Sequence, residues 1–574
     1  MASRFAVARS LLRNLLRYHP RPFLIAVSGA SLYALCTVAS SYGLGFVIDE
    51  VVLPRFQSGI TDLSAYLTAC LIVIGIGLLR AVGVVFRRSY AGISHWSTSE
   101  SLSKRLVRHI MNQPSIWHQR HMTGDLIARI GVDSDTAAQV LGPLPFSTSV
   151  VLLVFLTSVW LVVIDVPLGL LALVVIPILF TLNISYQRRI DRHYDSAQEA
   201  LGSLSEAVHE SFDGVMVVKA FGAELREQQR LANISTRLKD ARINAVNEKA
   251  VFEALVDGTP SLVNIFLIVF GAYRVRSGSL TIGELSSFIY LFTLLVFPLR
   301  IIGYLLSEIP HSSSGHKRVT EVLSEELELD PRTKIRKLSN GIAIHLVDVA
   351  FRYQGSSDFV FENVNVEIPA GSKVAVVGET GCGKSTLLKI IAGLIAPDSG
   401  SVAVDERGSS IVFQEPFLFS GSIRFNVTLG QVSSNEHVQQ ALWVSCCDGF
   451  ISELEEKDYT IVGERGVSLS GGQRQRVALA RALASKRGVL LLDDTTSALD
   501  PATESVVIDR LNQSERQITT IMVASRPTTI RIADHVLFIH DGVVEPLSTH
   551  EELSQTNFAY SKLMTSFEID RQQV

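Results

Sequence analysis

The segment GETGCGKST, residues 378–386, combines glycines with a lysine and three hydroxyl side chains. It follows the apolar run SKVAVVG and precedes STLLKIIAGL, and a phosphate-binding loop requires this order of strand, loop and helix. The glycines let backbone N–H groups point at phosphate oxygens, while the start of the helix adds a partial positive charge. Lys384 can reach the β and γ phosphates of ATP, and the Ser385 hydroxyl can bind Mg²⁺. The expected nucleotide contacts are Gly378, Glu379, Thr380, Gly381, Cys382, Gly383, Lys384, Ser385 and Thr386.

Two adjacent carboxylates, Asp493 and Asp494, follow the aliphatic residues 489–492. An uninterrupted aliphatic run is typical of a buried parallel strand, whose carboxyl end presents polar groups to a ligand. Asp493 is suited to hold Mg²⁺ opposite Ser385, directly or through water. Asp494 is therefore available for a second role.

A second anion site is predicted at LSGGQ, residues 469–473, which begins a helix-like stretch. The start of a helix presents free backbone N–H groups to an anion. Two phosphate sites in one chain indicate a nucleotide held between two copies of the fold. The residues of this second site are Ser470, Gly471, Gly472 and Gln473.

The elements around these motifs indicate the fold. Short β-like runs alternate with helical stretches over residues 341–574, which predicts an α/β domain with a largely parallel sheet. Residues 311–340 are Ser-rich and then charged, which predicts a helix leading into a linker. No internal repeat is evident, and no basic tract with interleaved aromatic residues indicates nucleic-acid binding.

Residues 1–310 hold long stretches without charged side chains. At 1.5 Å per residue, such stretches can cross the roughly 30 Å of hydrocarbon in a bilayer. Buried helices of a soluble protein are the alternative, but they rarely remain uncharged over this length. We predict an α-helical polytopic membrane domain, with long cytoplasmic extensions and six spans at about 23–48, 63–86, 140–164, 166–187, 256–273 and 285–306.

The distribution of basic residues predicts the orientation. Five arginines precede the first predicted span, whereas Arg55 is accompanied by Asp49, Glu50 and Asp62 in the connection that follows it. We therefore expect a multi-pass protein of the plasma (inner) membrane whose N-terminus and nucleotide domain are cytoplasmic. The five arginines are Arg4, Arg9, Arg13, Arg17 and Arg21.

With these motifs, the chain resembles the ATP-binding cassette (ABC) transporters, specifically exporter-type half-transporters with one six-helix membrane domain and one nucleotide-binding domain. The resemblance implies that Tyr353 stacks on adenine and that Gln414 senses nucleotide and helps to hold Mg²⁺. It also implies that SALD, residues 497–500, reaches across a dimer. Further segments that match the family are TIVGERG, residues 460–466, at the intracellular loops, and two coupling helices near 115–124 and 209–218.

Two positions depart from the family pattern, and both concern hydrolysis. Asp494 stands where the family usually has the Glu that activates water, and Ser525 stands where it has a His at the γ-phosphate. A side chain one methylene shorter withdraws its carboxylate by about 1 Å, and such a displacement can cost on the order of 100-fold in rate. Residues 400–414 are also shorter than in the family, which predicts a trimmed β-hairpin before Gln414.

These departures predict a site that binds ATP and hydrolyses it weakly. In the family, each composite site combines the phosphate loop of one chain with the signature, LSGGQ, of the other chain. A heterodimer with a second half-transporter that carries Glu and His would therefore retain one strong site. The expected function is ATP-driven export of an amphipathic small molecule, lipid or peptide. The alternatives are a slow homodimeric exporter, a nucleotide-gated channel or regulator, and an importer.

Arg80 and Arg300 lie within or near predicted spans. We expect their side chains to snorkel or to face the cytoplasmic end of a long helix. Contact with an anionic substrate or with the headgroup of a membrane lipid is the alternative, because a charge within a membrane is costly and usually has a partner.

Overall fold

The computed structural model describes residues 2–58, 63–339, 341–495, 501–513, 518–524 and 526–572. The chain forms two compact units. One comprises Met1–Ile110 and Thr123–Glu326, and the other comprises Met111–Met122 and Leu327–Val574. The first unit is helical, and the second contains every strand among the described residues.

The helical unit is built from long helices joined by short ones. Helix α4 has 49 residues and α11 has 53, so both are far longer than the roughly 20 residues that cross a bilayer. π-Helical segments occur at Ile48–Val52 and Arg129–Asp133. The first twelve helices of the chain are α1 Ala2–Leu16, α2 Pro20–Val47, α3 Leu53–Ser58, α4 Leu63–Met111, α5 Ser115–Arg120, α6 Thr123–Ala128, α7 Ser134–Gln139, α8 Leu144–Ile164, α9 Val166–Asp213, α10 Val215–Ala220, α11 Glu224–Arg276 and α12 Ile282–Ser324. Of these, α5 belongs to the second unit.

Caps determine where two of the long helices begin. The Asp165 carboxylate accepts a hydrogen bond from Leu168 N (3.1 Å) at the start of α9 and pairs with Arg274 of α11. At the start of α12, Thr281 and Glu284 form a reciprocal capping box. These contacts satisfy N–H groups that would otherwise lack an intrahelical partner.

Three stretches of the described residues are long and apolar enough to cross a membrane, judged by length and composition alone: Pro20–Phe56, Leu63–Met111 and Thr123–Ile164. Two shorter apolar helices are Val166–Val175 and Ile282–Leu295. Each predicted span overlaps one of the helices α2, α4, α8, α9, α11 and α12. The number of spans, six, stays a prediction.

The second unit contains a six-stranded sheet with the order β12-β11-β4-β10-β9-β6 and a four-stranded sheet with the order β1-β5-β2-β3. Strands β11, β4, β10, β9 and β6 run parallel, as the alternating pattern predicts. The strands are β1 Arg336–Leu338, β2 Ile342–Phe351, β3 Phe361–Pro369, β4 Lys373–Gly378, β5 Ser399–Asp405, β6 Ser409–Val412, β7 Gly421–Ser422, β8 Ile461–Val462, β9 Val489–Leu492, β10 Thr519–Val523, β11 His535–His540 and β12 Val543–Val544.

Helices of this unit cover the sheets. A core of buried aliphatic residues joins β4, β9 and β10 to helix α13, which follows the phosphate loop. The remaining helices are α13 Lys384–Ile391, α14 Ile423–Thr428, α15 Asn435–Val444, α16 Asp448–Ser452, α17 Gly471–Ala484, α18 Pro501–Gln513, α19 Pro527–Ile532, α20 His550–Thr556 and α21 Phe558–Gln572.

The predicted linker, residues 311–340, includes the end of α12 at Ser324 and the strand β1 from Arg336. Between them, Asp330 caps a short 3-10 turn by accepting from Arg332 N (3.0 Å). The proposed boundaries at residues 310, 340 and 341 stay predictions.

Candidate nucleotide site

Four neighbouring parallel strands bring most of the predicted hydrolytic motifs to one edge of the sheet. The phosphate loop follows β4, Asp493 and Asp494 follow β9, and Gln414 follows β6. Between β4 and β9, strand β10 ends at Val523, two residues before Ser525. The carboxyl ends of parallel strands share an edge, which is where ligands bind in open α/β sheets.

The phosphate loop occupies residues 378–386, from the end of β4 to the first turn of α13. Gly381 and Gly383 have φ values of +89° and +103°, a region that favours glycine. A Cβ atom on Gly383 would also come within 2.5 Å of Val360. Both glycines therefore preserve a loop whose backbone N–H groups can approach phosphate oxygens.

Lys384 is held over this loop. Its Nζ donates to the carbonyl oxygens of Gly378 (2.8 Å) and Glu379 (2.7 Å). The ammonium group is thus positioned where phosphate oxygens can replace these carbonyls. Cys382 is half-buried beside it, and burial raises the pKa of the Cys382 thiol, although the nearby Lys384 partly offsets this.

The residues at the ends of α13 and β9 fit Mg²⁺-bound ATP. Ser385 Oγ donates to Asp493 Oδ1 at 2.6 Å, so a hydroxyl and a carboxylate lie close enough to share one cation. Asp493 is only 5% exposed. Hard oxygen donors of this kind, next to a phosphate loop, are the ligands that Mg²⁺ prefers.

The second carboxylate lies beside the predicted glutamine. Gln414 Nε2 donates to Asp494 Oδ2 at 3.3 Å. The shortened segment before Gln414 forms only a short turn between β5 and β6, and it still brings Gln414 to this carboxylate. In that turn, Gly408 N donates to Asp405 O at 2.7 Å. Asp494 has φ +47°, a left-handed conformation that Asp tolerates better than most residues.

Tyr353 lies two residues beyond β2, and its side chain is 41% exposed. Its hydroxyl lies 2.8 Å from Thr386 Oγ1, and its ring meets Phe351 edge to face at 5.0 Å. These contacts fix the ring beside the phosphate loop while leaving part of it open, as stacking on a base requires.

The LSGGQ segment begins helix α17, as predicted. Ser470 and Gln473 form a capping box in which Gln473 N donates to Ser470 Oγ (3.3 Å) and Ser470 N donates to Gln473 Oε1 (2.9 Å). Ser470 and Gly471 are exposed, and a Cβ on Gly471 would meet no atom within 4 Å. This helix start is therefore accessible to a second molecule.

Two predicted motifs lie outside the described residues, namely Ser525 and SALD at 497–500. A buried carboxylate that no sequence motif predicts lies between them in the chain. Glu504 on α18 is 3% exposed, pairs with Arg526 (3.1 Å) and accepts a hydrogen bond from Thr529. Glu504 thus joins α18 to α19, and no spacing in the sequence distinguishes it from other glutamates.

Both predicted coupling segments contain short helices. In α5, the Ser115 hydroxyl donates to Leu394 O, Ile116 packs against the sheet core, and Trp117 is 2% exposed. In α10, by contrast, Met216 and Val217 are exposed, as is the following Phe221. The first helix is packed within the second unit, whereas the second presents an apolar surface.

Known families match both parts of the chain. The model of the ABC transporter transmembrane region matches residues 23–299, and the model of the ABC transporter matches residues 361–497. Together they cover well over half of the sequence. The chain belongs to the ABC transporter family. It is an exporter half-transporter, with a helical membrane domain fused to one ATP-binding cassette, which confirms the predicted fold class.

Curated relatives align over most of their length. The ATP-dependent lipid A-core flippase of Chromohalobacter salexigens is 28% identical, with 98% of each chain covered. The probable multidrug resistance ABC transporter ATP-binding/permease protein of Bacillus subtilis is also 28% identical, over 80% of this chain and 81% of its own. The structure of a bacterial Atm1-family ABC exporter with ATP bound has the same fold, with a TM-score of 0.73, 24% identity, and 94% and 98% of the two chains covered.

These similarities show that the chain is a multi-pass membrane exporter whose cassette belongs to the class that binds and hydrolyses ATP. ABC exporters work as dimers, and the relatives are named for lipid and drug substrates. The roles of individual site residues stay predictions.

Proposed function

We propose that this chain is one subunit of an exporter that moves an amphipathic small molecule, lipid or peptide across the plasma (inner) membrane. The membrane domain would comprise residues 1–310, the linker 311–340 and the cassette 341–574. The names of the relatives, a lipid A-core flippase and a multidrug resistance transporter, support this substrate range. The exposed Arg9, Arg13 and Arg17 before the first span support a cytoplasmic N-terminus.

The chain's own site would bind ATP and hydrolyse it weakly. The bond between Gln414 and Asp494 carries this proposal, because it holds the short carboxylate at the glutamine amide. Placing that carboxylate at the water that attacks the γ-phosphate would require a longer side chain or a shift of the left-handed backbone at Asp494. Serine at position 525 supplies a hydrogen bond but no imidazole.

The remaining site residues have binding roles in this proposal. Bound Mg²⁺ would neutralise phosphate charge, and Ser385, Asp493 and Gln414 would hold it. Lys384 would neutralise the β and γ phosphates, and Tyr353 would hold the adenine. Loss of the partly open Tyr353 ring would weaken nucleotide binding without altering the carboxylates.

The signature would act in the opposite site. Ser470 and the N–H groups of Gly471 and Gly472 would contact the γ-phosphate of nucleotide held by a partner that carries Glu and His. A partner of this kind would give one strong composite site and one weak site. The exposed apolar surface of α10 supports contact with that partner, because a monomer gains nothing from exposing Met216 and Phe221.

Restoring the missing groups tests the proposal. We expect the purified chain alone to turn ATP over slowly, and the Asp494→Glu/Ser525→His double variant to turn it over at least ~10-fold faster, by phosphate release. Asp494→Asn should leave the turnover of the assembled transporter nearly unchanged. Brisk turnover by the unmodified chain alone, or loss of activity in the assembled Asp494→Asn variant, would contradict the proposal.

A further inference from the structure

Arg481 joins the signature helix α17 to the chain segment that follows Gln414. Its Nη1 donates to Phe417 O at 2.8 Å, its Nε donates to Asn426 O at 2.7 Å, and its Nη2 donates to Asn426 Oδ1 at 2.9 Å. One side chain of α17 therefore holds both ends of the 417–426 segment.

All three acceptors of the half-buried Arg481 are uncharged oxygen atoms. Burial lowers the pKa of Arg481, yet an arginine keeps its proton in proteins. At a partly desolvated site, each N–H or carbonyl oxygen that is left without its partner costs free energy. The three bonds therefore hold the distance between α17 and the 417–426 segment more strictly than an exposed ion pair would.

Asn426 stiffens the 417–426 segment. Its side chain is fully buried, and its Oδ1 accepts from Phe419 N at 2.8 Å in addition to Arg481. Its Nδ2 donates to Phe419 O at 2.9 Å and to Ser422 O at 3.2 Å. The segment cannot bend at these positions without breaking the bonds of a buried amide, so a displacement passes to Arg481.

Apolar packing joins the segment to the same helix. Leu418 belongs to one buried cluster with Val477 and Ala480 of α17. Ser470, which caps α17, lies eleven residues before Arg481, or about 16 Å along the helix axis. A packed helix is a rigid element, so a displacement at Arg481 reaches the signature.

The glutamine before this segment lies at the proposed Mg²⁺ site. Gln414 Nε2 donates to Asp494 Oδ2 at 3.3 Å, and two residues separate Gln414 from Phe417. Three residues span at most about 10 Å, and the fixed φ of Pro416 limits how much movement this connection absorbs. Displacement of Gln414 therefore has a short path to the bonds of Arg481.

We propose that Arg481 is a positioning residue, which keeps the LSGGQ signature in the position that the segment after Gln414 dictates. When Gln414 leaves Asp494 for bound Mg²⁺, the 417–426 segment shifts, and Arg481 carries this shift along α17 to Ser470. The position of the signature at the partner's ATP then depends on this chain's own site. This inference rests on the proposed function and adds the path by which the two composite sites communicate.

A double-variant cycle read by hydrogen exchange tests this path in the full chain without nucleotide, so the result does not depend on hydrolysis. Gln414→Ala frees the segment from Asp494 and should accelerate amide exchange in peptides from residues 469–476 at least ~2-fold, the effect of one lost hydrogen bond. Arg481→Met should accelerate exchange in the same peptides. Gln414→Ala should then add nothing to Arg481→Met, because the path is already interrupted.

Arg510→Met is the matched control. Arg510 on α18 also donates to a backbone oxygen, that of Trp443, and to Asp448 Oδ1 at 2.9 Å, and these acceptors lie outside the 417–426 segment. Its replacement removes a comparable guanidinium from the same unit. In that background Gln414→Ala should retain its full effect on exchange.

ATP turnover of the assembled transporter separates positioning from stability. Arg481→Met should lower kcat at least ~10-fold at unchanged KM for ATP, because the phosphate loop is intact while the signature is misplaced. Arg481→Lys, whose ammonium reaches fewer of the three oxygens, should give an intermediate kcat, and it takes the place of Arg481→Met in both measurements if that variant fails to fold. Arg510→Met should turn ATP over as the unmodified protein does.

Independent effects of Gln414→Ala and Arg481→Met that multiply in either measurement would overturn the proposal. Unchanged exchange in Gln414→Ala, unchanged kcat in Arg481→Met or an equal loss of coupling in Arg510→Met would overturn it as well. Failure of the proposed function gives a different result, since a homodimer would turn ATP over briskly without a partner. The hydrogen-exchange cycle reports on the path in either case.

Discussion

Gly471 allows the role of the signature to be tested apart from the stability of the chain. Its position at the start of α17 is exposed, and a Cβ there would meet no atom within 4 Å. Gly471→Ala should therefore leave the unfolding midpoint unchanged or slightly raised, because alanine reduces the conformational entropy of the unfolded chain. In the assembled transporter, the added methyl group would obstruct phosphate approach, and ATP turnover should fall at least ~10-fold.

Gly449→Ala is the matched control, since Gly449 also begins a helix in the same unit with no atom near its Cβ position. It should leave both stability and turnover unchanged. Unaltered turnover in Gly471→Ala would mean that the signature does not contact nucleotide.

His316 on α12 predicts acid sensitivity of the helical unit. Burial lowers the pKa of His316, and its Nδ1 is buried without a hydrogen-bond partner. Above about pH 6.5 the imidazole is neutral in both the folded and the unfolded chain, so it has no effect on stability. As pH falls below that value, the unfolded chain takes up the proton first, and stability is lost until the lowered folded pKa is reached.

His316→Leu should therefore reduce the fall in unfolding midpoint between about pH 7.5 and about pH 5.5. The exposed His311 on the same helix is the control, and His311→Leu should retain the full fall. An unchanged pH dependence in His316→Leu would show that other groups cause the acid sensitivity.

Residues differ in how far the sequence alone reveals them. The phosphate loop and the signature could be predicted because their glycines and caps act over a few consecutive positions. Glu504 and Arg481 could not, since their contacts depend on residues distant in the chain, Arg526 in one case and Phe417 with Asn426 in the other. The left-handed backbone at Asp494 likewise has no local signal.

At the level of elements, charged side chains attach the end of α12 to α6 and to the segment that follows α6. Arg318 pairs with Asp125 (2.9 Å) and with the largely buried Asp133 (3.0 Å). Arg129 in turn pairs with Asp125 and donates to Arg318 O at 2.8 Å. Close backbone approach at Gly315 accompanies these pairs, since a Cβ there would lie 2.8 Å from Asp133 O.

Arg318→Met should destabilise this attachment by about 1–2 kcal/mol, because it leaves the Asp133 carboxylate partly buried without its cation. The unfolding midpoint should fall, and adding Asp133→Asn should restore part of the loss. Lys317→Met, at the exposed preceding position, is the control and should have little effect. Additive losses in the double variant would show that the two side chains do not interact.

The lengths of the elements were more predictable than their irregularities. The uncharged stretches and polar connections indicated helices that continue beyond the membrane, and α4 and α9 have this form. The π-helical segments at Ile48–Val52 and Arg129–Asp133 were not predicted. A π-helical segment is an α-helix with one inserted residue, which leaves the hydrophobic period of the sequence nearly intact. The sequence therefore gives no signal for such segments, and packing against neighbouring helices determines where they occur.

At the level of the whole molecule, the proposed function assigns to the cassette nucleotide binding together with an incomplete hydrolytic group. Its phosphate loop, Ser385 with Asp493 and Tyr353 with Thr386 have the contacts that binding requires. Asp494, in contrast, is engaged by Gln414 and is one methylene short. In the proposed heterodimer the two sites would then be unequal, since each chain would contribute its carboxylate to one site and its LSGGQ signature to the other.

Unequal sites predict the nucleotide content of the working transporter. If the weak site retains ATP while the partner's site hydrolyses it, protein trapped with vanadate during turnover should contain equal amounts of ATP and ADP after denaturation and chromatography. The Asp494→Glu/Ser525→His variant should shift this content towards ADP, because its own site regains a base and an imidazole. Only ADP in the unmodified assembly would mean that both sites cycle, and Asp494 would then be a working base that a shift of its backbone brings close enough to the attacking water.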